Sequence, residues 1–129
     1  MRGQVDPQSQ MFSYFSPESR VPADHPLRSI KTHTDQVLAE LSGPLEALYS
    51  TTGRPSIPPE QLLKAQLLMA LYSVRSDRLF CQMLDYNILF RWFIGLSMDD
   101  AVWVPTVFTK NRQRLIEHDA VVAFFNEVV

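Results

Sequence analysis

One cysteine, Cys81, is all the chain contains, so no intramolecular disulfide can form and a reducing compartment fits. Glycine is scarce, at 4 of 129 residues, and none of it builds a Gly-rich loop of the kind that cradles phosphate. Long hydrophobic runs are missing: the longest, Leu67 to Tyr72, falls far short of a bilayer span. The opening MRGQVDPQSQ also has no apolar segment of a secretory signal. The sequence therefore reads as cytoplasmic, with no membrane partner. An excess of positive charge is missing too. Twelve Lys and Arg against 14 Asp and Glu give a net charge of −2 and a pI near 5.9, which excludes a protein held to nucleic acid by bulk charge.

The equipment of catalysis is equally thin. His25, His33 and His118 lie on separate segments without metal-ligand spacing. Cys81, between Phe80 and Met83, belongs to an expected buried face. The only adjacent carboxylates, Asp99 and Asp100, follow a helix and read as a turn or cap rather than an acid/base dyad. No catalytic residue, metal site or cofactor is assigned.

What the chain does have is apolar substance and punctuation. Apolar residues make up 46% and charged ones 20%, and a chain of this length folds as one domain that buries about two-thirds of its unfolded surface. Nine prolines divide it into sharply bounded segments. Residues 1–25, with Met11, Phe12, Tyr14 and Phe15 and several prolines, read as an extended arm whose aromatics tie it to the body. Residues 26–129 read as an all-α, compact multi-helix bundle. Its first helix starts at Pro26 after a cap by Asp24 or His25 and carries Leu27, Ile30, Thr34, Val37, Leu38 and Leu41 on one stripe. Ser42-Gly43-Pro44 is expected to stop it, with a short helical turn over Leu45 to Tyr49 beyond.

Ile57-Pro58-Pro59-Glu60 opens the most hydrophobic helix, apolar nearly all round from Leu62 to Val74 and so placed at the centre of the bundle. Ser76-Asp77 then makes a break and a new cap, leading to a helix with Leu79, Phe80, Met83 and Leu84 on its inner face. This corner is helix-turn-helix-like. Asn87 to Leu96 forms a short structural helix closed near Gly95, Thr106 caps a helix that runs to Glu117, and a last helix starts from Asp119. Its pattern is still apolar at Val129, with no polar cap. The expectation is a chain cut off within or at the end of that helix, inside a longer architecture.

Charge is unevenly spread. Residues 1–49 hold 4 basic and 6 acidic side chains, residues 50–95 hold 5 and 3, and residues 96–129 hold 3 and 5. In the positive middle, Arg75 and Arg78 flank the break where a helix-turn-helix approaches a phosphate backbone, with Asp77 placed to offset them. Lys110 and Arg114, at i,i+4, repel each other by a few tenths of a kcal/mol, which either a phosphate or Glu117 relieves. Arg54, Arg75, Arg78, Lys110, Arg112 and Arg114 are the candidate DNA contacts, and Gln82 and Asn111 the candidate base readers.

Four blocks in order, RVPADHPLR (20–28), GRPSIPPEQLLKAQLLMALYSVRSDR (53–78), YNILFRWFIGL (86–96) and WVPTVFTKNRQRL (103–115), resemble the N-terminal domain of insertion-sequence transposases of the InsH type, in the insertion-sequence-five group. The resemblance implies a helical module that helps recognise the terminal inverted repeats of the element and supports transposase assembly. It also implies a following ribonuclease-H-like catalytic domain whose three acidic residues hold divalent metal. None of those acids matches a position here, so this chain alone is expected not to cleave or join DNA. Two functions of different class follow. One is a DNA-binding and assembly module of a transposase. The other is a structural interaction module that docks Phe90 to Phe93 and Phe124-Phe125 on a second copy or a separate catalytic polypeptide.

Overall fold

The computed structural model describes residues 3–4, 14–52, 57–117 and 120–128. Among them the fold is all-α, with seven helices and no strand: α1 (Pro17–Arg20), α2 (Pro26–Thr52), α3 (Pro59–Leu71), α4 (Asp77–Tyr86), α5 (Ile88–Ile94), α6 (Pro105–Glu117) and α7 (Ala120–Val128). Two boundaries depart from the sequence reading. The first helix does not stop at Ser42-Gly43-Pro44 but continues to Thr52. A mid-helix proline forfeits one hydrogen bond and glycine weakens the helix by about 1 kcal/mol. α2 also packs against α7, with His33 Nε2 3.1 Å from the Val128 carbonyl, so tertiary support adds to what the local sequence supplies. The helix expected to start from Thr106 instead opens with Pro105, whose ring suits a first-turn position.

At the start of α2 the cap is His25, whose Nδ1 accepts from Leu27 N–H at 3.1 Å. The apolar stripe then faces inward: Leu27, Thr34, Val37 and Leu38 are buried. Asp35 on α2 holds both Lys31 and Lys64, the second of them reaching from α3 at 2.6 Å. Burial presses the Asp35 carboxyl upward, but the hydrogen bonds from Lys31 and Lys64 prevail and hold it below the usual carboxylate range.

The sequence before α2 is less extended than its prolines suggest. Residues 17–20 turn into α1, which packs on α5. Arg28 gathers this segment, donating to Glu18 Oε1, to the carbonyls of Val21 at 2.7 Å and Pro22 at 2.9 Å, and lying over the Trp92 ring. Trp92 Nε1 donates to the other Glu18 oxygen. The bonds from Arg28 and then Trp92 hold Glu18 below the usual carboxylate range. Val21, buried, anchors the turn, whereas Tyr14 stands in solvent and Phe15 lies beneath the Arg20 guanidinium. Met11 and Phe12 lie outside the described residues.

The middle of the chain folds as its punctuation dictates. α3 buries Leu62, Leu63, Ala65, Leu67, Leu68 and Met69. It ends in a Schellman motif: Val74 N–H reaches the Met69 carbonyl at 2.9 Å, Ser73 N–H reaches that of Ala70, and Ser73 takes a left-handed φ of 55°. Serine pays a steric penalty there that glycine avoids. Ser73→Gly should therefore raise stability by about 0.5–1 kcal/mol net of the extra freedom of the unfolded chain, read as a higher urea midpoint at constant slope; a lower midpoint would contradict it. Ser76 caps α4 through its hydroxyl, 3.2 Å from Leu79 N–H. Asn87 is a one-residue joint: its N–H closes α4 on the Met83 carbonyl at 2.7 Å while its side chain caps α5 at Phe90 N–H. Gly95, at φ 97°, ends α5 in the conformation only glycine takes freely.

The centre is a run of rings. Trp103 stacks on Phe108, Phe108 on Phe80, Phe80 on Phe90, and Phe90 meets Tyr72, each pair with centroids 5.2–5.7 Å apart. Beside it lies Arg91, only 3% exposed, whose guanidinium donates to the carbonyls of Asp85, Ser97 and Asp100. Asp100 in turn accepts from Ser97 N–H at 2.8 Å, so the Asp99-Asp100 pair serves a turn. Of the Phe90 to Phe93 and Phe124-Phe125 docking surface expected in one reading, Phe90, Trp92, Phe93 and Phe124 are inside this core, while Phe125 is half-buried at its edge. No helix among the described residues is long and apolar enough to cross a membrane.

Candidate nucleic-acid interface

α3 and α4 meet at a corner, yet they gain their support from α5 and α6 rather than from each other. The corner places the start of α4 against α6. Asp77, the first residue of α4, accepts from Thr109 Oγ1 at 2.8 Å and from Arg112 Nη2 at 2.9 Å, both on α6. Asp77, expected to offset Arg75 and Arg78, thus forms its ion pair with Arg112. The pair is largely buried, with 15% and 26% of the two side chains exposed. Asp77 Oδ1 and Arg112 Nε are left without partners, so the contact is a single-pronged one in an interior where two prongs are normal.

Around this latch lie two shallow grooves. Arg78 and Lys110, far apart in sequence, line one of about 320 Å³, together with Asp77, whose carboxylate is turned to Arg112, and with Pro105, Thr106 and Thr109. Arg75 lines the other, of about 470 Å³, with Arg112, Gln66 and Phe125. Arg75, Arg78, Lys110 and Arg114 are exposed, and among the described residues none of the four forms an ion pair. Arg114 follows Lys110 by one turn on the same face of α6, as its spacing requires. Arg54 lies outside the described residues. Of six candidates, then, Arg78 and Lys110 share one groove and Arg75 and Arg112 the other, the two being linked by the Asp77–Arg112 pair.

Two sequence expectations fail nearby. Asn111 is no base reader: it is 9% exposed and its Nδ2 donates to the Val107 carbonyl at 2.8 Å within α6. Leu79 is not on the inner face of α4 but 46% exposed. The wheel position of Leu79 lies a third of a turn from Phe80, at the border that periodicity resolves least well. Burial first, and the Asp77 charge second, push the Cys81 thiol up to about 11, which leaves it protonated and inert. Thr109 was missed altogether. A threonine within a polar helix face carries no signal that its partner is an aspartate on another helix.

Among the described residues no group of His, Cys, Asp or Glu is arranged to hold a metal ion. A family model described as Transposase domain (DUF772) matches residues 15–114, from the segment before α1 to near the end of α6, and so takes in the latch and all four basic residues around it. No curated protein and no solved structure matches the chain.

Proposed function

The chain belongs to the transposase domain family DUF772, and on that premise we propose that it is a DNA-binding and assembly module acting in the transposition of an insertion sequence, at the element's terminal inverted repeats. The motif blocks further suggest the InsH type within the insertion-sequence-five group. In this reading strand cleavage belongs to a separate catalytic domain. The observation that carries it is the convergence of Arg78 and Lys110 on one groove, with Arg75 on the neighbouring one and no described carboxylate paired to any of the three. Cations left exposed and without a described ion-pair partner on a chain of net charge −2 make a local field that attracts anions, and a duplex supplies them at regular spacing.

Arg75, Arg78, Lys110 and Arg114 contact phosphate, whereas Arg112 acts by holding α6 to Asp77. Each phosphate contact releases counterions, so binding weakens with salt at a slope of about 0.9 per contact. A salt titration of wild type and Arg78→Ala/Lys110→Ala on a duplex carrying the inverted repeat should show the slope reduced by about 1.8 in the double variant. Both side chains are exposed, so folding is unaffected. Equal slopes and equal affinities for the two proteins would overturn the assignment.

A further inference from the structure

Resting on that reading, we propose that α4 is the helix that reads base sequence, with its outer face in the major groove of duplex DNA and Gln82 as the residue that recognises an adenine. At the helical 100° per residue, Arg78, Leu79, Gln82, Asp85 and Tyr86 fall within an arc of about 120°, with Gln82 near its centre. All five are exposed. The opposite arc carries Asp77, Phe80, Cys81 and Leu84, which hold the helix on α5 and α6. One face is therefore fixed in the core and the other is left entirely to a partner.

The composition of the free face selects that partner. A surface that only needs solvent has no use for Leu79 at 46% exposure and Tyr86 at 69% in line with an uncharged amide. A second protein would accept the apolar pair, but it would have to be acidic to meet Arg75, Arg78 and Lys110 around the same end of the helix. The major groove satisfies both demands. Its walls are phosphate, its floor offers thymine methyl groups to a leucine, and an amide side chain pairs with adenine through N6 and N7 together. α4 is about 15 Å long, enough to cross a groove about 12 Å wide. Its first turn, where Arg78 and Leu79 sit, is the part that such helices present to base edges. Asp85, the one acid on the arc, lies a turn beyond Gln82 and faces Arg91 at 3.5 Å, away from the cationic end.

The test is selection from a random-sequence duplex pool by wild type, Gln82→Ala and Leu79→Ala, each checked for native helicity. Wild type should enrich one site containing an invariant adenine. Gln82→Ala should enrich the same site with that position degenerate, discrimination falling by roughly 5-fold to over 100-fold there, while its salt slope stays that of wild type. Leu79→Ala should relax a neighbouring thymine. If the wild type and Gln82→Ala yield the same base preferences, or wild type binds DNA without enriching any site, α4 is not the reader although the phosphate contacts stand. If wild type does not bind duplex at all, the proposed function falls and this inference with it.

Discussion

Arg91→Ala should destabilise the protein by about 3–5 kcal/mol, the range found when a buried, bonded charge is removed and its partners are left behind. Arg91 sits in α5 with 3% of its surface exposed, and its guanidinium collects the Asp85, Ser97 and Asp100 carbonyls at 3.2, 2.7 and 3.0 Å. Those three acceptors come from the end of α4 and from the turn after α5. Truncation orphans all of them and unties that turn from the core. Lysine cannot rescue the site, because one ammonium cannot reach three acceptors arranged for a planar fork. For a domain of this size the loss corresponds to a melting point lower by roughly 10–20 °C. Thermal and urea unfolding of Arg91→Ala and Arg91→Lys will measure it, and a loss below about 1 kcal/mol would show that the carbonyls find other partners.

Phe80→Ala should cost about 3–5 kcal/mol, with Phe80→Leu losing a smaller share. Phe80 has no exposed surface and stacks between Phe90 and Phe108, with centroids 5.7 Å away on both sides. It is the ring through which α4, α5 and α6 share one core. Deleting it removes two aromatic pairs, worth about 0.5–1.5 kcal/mol each beyond simple burial, and leaves a cavity between helices that cannot close without moving α4. The functional corollary is separable. In Phe80→Leu, which stays folded, loosening of α4 against α6 should weaken DNA binding without altering the salt slope, because no charge is lost. A normal affinity in that variant would mean that the latch at Asp77 alone sets the corner.

Much of the fold was legible because its signals are local. Ser76 caps, Gly95 terminates, and Pro59 starts a helix, and each acts on its own few residues. The apolar stripe of α2 and the all-round hydrophobicity of α3 also reported their burial directly. Where the reading failed, the deciding interaction was distant in sequence. Gly43-Pro44 is a break by every local rule, yet α2 runs through it to Thr52, and the helix it packs against, α7, comes from the far end of the chain. At the site, the cations were found from charge and spacing, but the role of Arg112 was not. Its pairing with Asp77, across 35 residues, is a tertiary fact with no trace in either segment.

The joint at Asn87 has a consequence for how such a domain changes over time. One residue both finishes α4 and begins α5, so the rotation of α4 about its own axis is geared to that of α5, whose side chains Phe90, Arg91, Trp92 and Phe93 are locked inside. Inserting or deleting a residue there would displace the cap that serves both helices and set the packing of α4 against that of α5. Substitutions on the exposed side of α4 leave this joint untouched, whereas changes of length at Asn87 would not.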